Sequence, residues 1–210
     1  MNIKALKQEQ LELAKHIVIN NKLTKVKLVA GCDVIGTADD TLICCIALVD
    51  YKTLKLVDSV VTTAKAPIKY IPGFLGFREG PIIVNTFISL KQKPDVLLVK
   101  GHGIAHPRKM GIASQLGLQL DTPTIGVATK LLTGKTKDGK IVIEGKVRGA
   151  EVHTKEYAKP IYVSPGHLVS LAKSIEIVKN TTKQPHKLPE PIFIAHKLAK
   201  KFKKKMEANE

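Results

Sequence analysis

Aromatic side chains are scarce in this sequence: no tryptophan, four tyrosines and five phenylalanines, 4% of all residues. That scarcity argues against a broad base-stacking platform. Acidic residues are also few, 18 against 34 lysines and arginines, for a net charge of +16 and a pI near 9.7. Such a balance selects polyanionic partners through phosphate contacts and counterion release, without separating DNA from RNA, ribosome or anionic membrane. Only three cysteines occur, Cys32, Cys44 and Cys45, all inside apolar runs. They read as small core residues, and no Cys/His spacing resembles a zinc site. No stretch of 18 apolar residues and no signal-peptide pattern is present, so the expectation is a cytoplasmic protein without a membrane partner. What remains is a chain of 210 residues, 44% hydrophobic, enough for one α/β domain with a real core.

Residues 4–20 carry Leu6, Leu11, Leu13, Ala14, Ile17 and Val18 at helical spacing among lysines, the pattern of an amphipathic helix. Three apolar runs follow, Leu28 to Ile35, Thr41 to Val49 and Leu54 to Thr62, joined by short polar turns as in an antiparallel meander. Residues 64–81, punctuated by prolines and glycines, read as a loop, with a helix over 82–91. Strand 95–100, loop 101–107, a helix to about 120 and strand 124–128 alternate as parallel strands with crossover helices do. A basic hairpin is expected over 131–150 with Asp138-Gly139 as its turn, then strand 160–164 and a helix over 167–178. The end, Pro191 to Lys205, is an amphipathic helix with six lysines between 197 and 205. The economical reading is one domain over 1–210, a mixed sheet with helices on both faces.

Among residues with chemistry, Asp33 stands inside the apolar strand "LVAGCDVIG". A carboxylate there is costly unless paired, hydrogen-bonded or on a metal; a strand-end aspartate facing solvent is the plain alternative. Glu79 in "YIPGFLGFREG" fits a helix first turn, where the dipole favours an acid. His167, after Ser164-Pro165-Gly166, fits a capping residue at a helix start. Gly101 and Gly103 around His102 allow backbone amides to approach a phosphate, although one GxG is a weak signal. Arg108, near a helix start, faces either phosphate or solvent.

Four longer stretches, "YIPGFLGFREGP", "GHGIAHPRKMGIASQLGLQLDTPTIGVA", "KPIYVSPGH" and "LPEPIFIAHKLA", occur in this order between residues 26 and 202. In this combination the chain resembles the endonuclease V family, whose fold is ribonuclease-H-like. The resemblance implies Mg²⁺-dependent hydrolysis of a phosphodiester on the 3′ side of deoxyinosine, with Mn²⁺ as a substitute metal. Its partners would be DNA carrying deoxyinosine or other damaged bases, with inosine in RNA a further candidate, acted on by a monomer. It implies Asp33 and Glu79 as metal ligands and His167 as a third catalytic residue. It places Tyr70 at the lesion as a wedge on the turn shaped by Pro72 and Gly73, with Gly101, Gly103, Arg108 and Lys130 on the nucleic acid. Hard oxygen ligands suit Mg²⁺, and a modified base leaves the stack at lower cost.

Several positions depart from the family pattern. Lys100 replaces an expected metal-binding aspartate, and Thr129 replaces a lysine, with Lys130 next to it. Lys69 and Phe193 depart from the common proline and basic residue, with less bearing on chemistry. At about 4 Å and an effective dielectric of about 20, Mg²⁺ and a lysine cation repel by about 8 kcal/mol. Deprotonating a lysine at pH 7 costs about 4.6 kcal/mol. The alternative to a working nuclease is a binding module in which Lys100 pairs with Asp33 or Glu79 as a tethered cation.

Overall fold

A computed structural model describes residues 2–20 and 23–208. Among them nine strands form one sheet, with β1 (Leu28–Gly36), β2 (Thr41–Asp50) and β3 (Leu56–Lys65) as the expected meander. β4 (Val96–Lys100) and β5 (Thr124–Ala128) run parallel to β1. Beyond them lie β6 (Lys135–Lys137), β7 (Lys140–Ile143), β8 (Lys146–Val152) and β9 (Ile161–His167), giving the order β3-β2-β1-β4-β5-β9-β8-β7-β6. Period-two alternation in β1 and β4 sends Ala30, Cys32, Leu97 and Val99 to one face, under α2 (Leu75–Ile88) and α3 (Ile112–Leu120). Val29, Val96 and Leu98 go to the other, under α4 (Leu171–Asn180) and α5 (Glu190–Glu207). The three cysteines are buried and free.

Both turns of the basic segment follow local chemistry. Asp138-Gly139 has φ of 49° and 71°, and Glu144-Gly145 repeats the pattern at 51° and 71°. Paired positive φ angles make the tight hairpin turns that glycine and small polar residues favour, so the expected hairpin is a three-stranded ribbon.

Three expectations are corrected. The segment read as loop 64–81 enters α2 at Leu75, with Pro81 inside the helix. A proline there removes one helical hydrogen bond, but its ring faces solvent while Phe74, Ile82, Ile83 and Phe87 are buried, and that packing decides. The expected helix start at His167 is the end of β9, because Pro165 and Gly166 fall at a register irregularity against β5; α4 begins later, capped by Ser170. Near the amino terminus, α1 (Ile3–Leu13) ends before residue 20, in a short 3₁₀ turn over Ala14–His16. Its one buried residue is Gln10, while Leu11 is 46% exposed. The expected amphipathic face is present but half-buried, with Leu6, Leu13 and Ala14 on the side of Gln10, whose side chain donates to the Gly73 and Met110 carbonyls.

One close approach sets the geometry of the site. A Cβ on Gly31 would stand 2.2 Å from the Pro191 carbonyl carbon, so glycine in β1 lets α5 lie directly on the strand.

Candidate active site

β1 and β4 run parallel with Cys32 beside Val99, which brings the next residues, Asp33 and Lys100, side by side. The Asp33 side chain is 2% exposed and carries two partners: Lys100 Nζ lies 2.9 Å from Oδ1, and His196 Nδ1 lies 2.5 Å from Oδ2. His196 comes from α5, one turn beyond the buried Ile192, and reaches Asp33 because Gly31 lets that helix settle. In the sequence it lies within "LPEPIFIAHKLA", one of the stretches that carry the resemblance, flanked by the apolar positions Ile192, Ala195 and Ala199, and it is not among the expected site residues.

Glu79 approaches from α2. Burial pushes its carboxyl up to about 8, Asp33's charge adds to the rise, and Arg78 and Lys100 pull against it. Arg78 is spent elsewhere, donating to the Ile68 carbonyl at 2.5 Å and pairing with Asp40 at 2.8 Å.

Asp33's oxygens are thus engaged by Lys100 and His196, and Glu79 favours its neutral form. Among the described residues no group of three or more His, Cys, Asp or Glu side chains is arranged to hold a metal ion. With Lys100 on Asp33, these residues do not fit the divalent ion that the resemblance implies: a cation already stands where a hard oxygen ligand is needed.

Beside this cluster opens a cleft of about 490 Å³ lined by Tyr70, Gly73, Lys100, Gly101, His102, His106, Thr129 and Lys130. Tyr70 is 65% exposed at its mouth. The turn that carries it is held at one atom, the Gly73 carbonyl oxygen. It accepts from Gln10 Nε2 at 3.1 Å, His106 Nε2 at 3.0 Å and Arg108 Nη2 at 2.9 Å. His106 Nδ1 accepts the Arg108 amide at 3.2 Å, which leaves Nε2 as the protonated nitrogen of a neutral ring. Burial, aided by Arg108, lowers that histidine to about 4. Gly73 itself has φ 81°, a left-handed conformation that glycine adopts without penalty.

Not every expected contact joins the cleft. The Gly101 amide donates to Val127 O at 3.0 Å and the Gly103 amide to Ser164 Oγ at 2.8 Å, so neither cradles a phosphate. Gly103 is small for packing: a Cβ would stand 2.0 Å from the Pro165 carbonyl oxygen. Arg108 is held inward, with Nε donating to Gln10 Oε1 at 2.5 Å and its guanidinium over the Phe74 ring. It positions the Gly73 turn. Thr129 and Lys130 are exposed at the rim, where the neutral His102 ring donates to Lys130 O at 3.1 Å.

His167 stands apart from Asp33 and Glu79. It pairs with Thr124 at the start of β5, whereas Lys100 pairs with Val127 near that strand's end. Its Nδ1 accepts the Val18 amide at 3.2 Å, and it packs where a Cβ on Gly117 would collide. The bond to Val18 pins the segment that follows α1.

A mixed sheet clothed by helices on both faces, with the buried Asp33 on its central strand β1, Lys100 at the end of the adjacent β4 and Glu79 reaching in from α2, defines a protein of the ribonuclease-H-like class. Residues 11–197 match the family model described as Endonuclease V. The chain is 40% identical over 201 residues to Endonuclease V of Dictyoglomus turgidum, covering 92% of this chain and 87% of that one. Among solved structures it is similar to the Bacillus subtilis Endonuclease V, with 28% identity, a TM-score of 0.92 and coverage of 100% and 95%. It is also similar to the Ciona intestinalis Endonuclease V in complex with a 24mer DNA containing an inosine followed by a ribo-adenosine. That match has 31% identity, a TM-score of 0.89 and coverage of 97% and 98%. The chain belongs to the endonuclease V family.

Proposed function

We propose that this protein recognises inosine-containing nucleic acid at the cleft beside Tyr70 and that Lys100 holds its hydrolytic activity far below what a metal-binding aspartate there would support. The observation that carries this reading is the 2.9 Å contact of Lys100 Nζ with Asp33 Oδ1. The Ciona relative bound to inosine-containing DNA supports the substrate class. Within the site, Tyr70 stands on a turn fixed by three donors and so offers a rigid ring to the lesion. The neutral His106 and His102 shape the cleft wall without adding charge. Lys100 and Lys130 bring positive charge to a phosphate backbone passing the mouth. Asp33 orients Lys100 and His196, and burial raises the Glu79 carboxyl beside them. A metal-dependent nuclease remains the competing reading, with Asp33 and Glu79 as its ligands.

Strands with one inosine, and matched adenosine controls, in DNA and in RNA, separate the two. The expected outcome is tighter binding of inosine strands with negligible turnover in Mg²⁺ or Mn²⁺. Metal-dependent turnover by the parent protein, abolished in Asp33→Ala, would replace this reading with the nuclease.

A further inference from the structure

We propose that Tyr157 is a second base-stacking contact, carried on a basic loop at the same end of the sheet as Lys100; this rests on the nucleic-acid reading above. The loop over 153–160 joins β8 to β9. Tyr162 of β9 pairs with Ala128 of β5, and Val127 pairs with Lys100 of β4. The loop therefore leaves the sheet where Lys100, Thr129 and Lys130 stand. Two inter-strand spacings separate β4 from β9, roughly 10 Å at about 4.8 Å each, a distance that a few nucleotides span at roughly 3.4 Å of rise apiece.

Tyr157 is the most exposed large hydrophobic side chain of the described residues, at 100%. Its backbone is also disfavoured. The Ala158 amide donates to Lys155 O at 3.4 Å, which closes a turn whose third residue is Tyr157, at φ 56°. That position favours glycine or asparagine, and a bulky ring there is an outlier. The loop is nevertheless anchored: the Thr154 hydroxyl donates to Lys187 O at 2.6 Å, and the Gln184 amide donates to Thr154 O at 3.0 Å. The base of the loop is thus fixed, and a large ring projects from it in a strained backbone conformation, with no gain to the fold from burial. Strain of this kind points to a ligand. Lys155 and Lys159 are exposed two residues either side of Tyr157, and Lys183 is exposed beside the Gln184 that bonds Thr154, against one exposed acid in the loop, Glu156. An aromatic ring among lysines, at the cleft end of the sheet, matches the alternation of base and phosphate in a single strand.

Glycine fits the turn better than tyrosine, so Tyr157→Gly separates folding from binding. The measurement is affinity for single-stranded oligonucleotides with a central inosine, alongside thermal melting. Stacking on one ring is worth about 1–3 kcal/mol, so Tyr157→Gly is expected to weaken binding about fivefold or more while the melting temperature holds or rises. Tyr157→Phe is expected to keep parental affinity. Lys155→Gln with Lys159→Gln is expected to flatten the dependence of affinity on salt. Parental affinity in Tyr157→Gly would overturn the proposal, and the site reading would stand if that variant still prefers inosine to adenosine. Loss of all inosine preference in the parent itself would remove both. Concentration-dependent self-association abolished by Tyr157→Gly, with nucleic-acid affinity unchanged, would assign the ring to a second copy and also overturn the proposal.

Discussion

The Lys100 ammonium lies 2.9 Å from Asp33 Oδ1, between adjacent positions of two parallel strands. Asp33 is almost fully buried, and an unpaired carboxylate there would carry a large desolvation cost. Lys100 and His196 offset that cost: with these two partners the buried carboxylate is compensated by groups of the chain itself.

Lys100→Asp reverses this arrangement. It removes the cation and gathers carboxyl groups at Asp33, Glu79 and position 100. Without metal the variant is expected to lose about 1–3 kcal/mol of stability, less than a fully buried pair would lose, because Lys100 is one-third exposed. Mg²⁺ is expected to restore the melting temperature and to raise cleavage of inosine strands at least tenfold over the parent. Lys100→Ala, which removes only the repulsion, is expected to bind Mg²⁺ less tightly than Lys100→Asp. Equal, weak Mg²⁺ binding by all three proteins, followed by calorimetry, would mean that Lys100 does not govern the site.

Tyr70→Ala is expected to reduce the preference for inosine over adenosine more than it reduces binding to ordinary strands. One stacking ring is worth about 1–3 kcal/mol, and Tyr70 is the ring at the cleft mouth. Equal losses on both strands in a fluorescence titration would deny Tyr70 a role at the lesion.

His106 predicts a pH dependence. Its folded value is lowered from 6.5 to about 4, first by burial and then by Arg108. Below about 6.5 the unfolded chain takes up a proton that the folded protein refuses, so stability is full above that pH and declines as pH falls toward about 4. The full loss is about 3 kcal/mol, from roughly 2.5 pK units. His106→Gln keeps a donor for the Gly73 carbonyl and removes the titration. Urea midpoints between pH 4 and 7 are expected to vary less in the variant, and identical slopes would count against this role for His106.

Lys197, Lys200, Lys201 and Lys204 are exposed on α5, the helix that also carries His196 to Asp33. A phosphate backbone at the site would run beside them. Replacing all four by glutamine is expected to lower affinity equally for inosine and control strands. It is also expected to reduce the slope of log affinity against log salt by about 0.7–0.9 for each phosphate that is no longer neutralised. An unchanged slope would leave the stripe as a solvated face.

The sequence by itself determined whatever rests on near neighbours along the chain. Apolar runs and their period marked β1, β2, β4 and β5, Asp138-Gly139 marked its turn, and the ordered motifs marked the family. A carboxylate inside an apolar strand made Asp33 a candidate, and the missing aspartate at Lys100 was visible at once. Tertiary structure alone decided the rest. Whether Pro81 ends a helix depended on what Ile82, Ile83 and Phe87 pack against. Whether Gly103 cradles a ligand or only admits a neighbouring backbone depended on β9. His196 joins Asp33 across 163 residues, and Gln10 reaches the Gly73 carbonyl across 63. Local pattern records which residues prefer a helix, a strand or a turn. Which lone polar groups meet is set by the stacking of α5 on the folded sheet and by the seating of α1 against the turns at Gly73 and Met110, where burial demands a partner for each and the chain supplies it from far away.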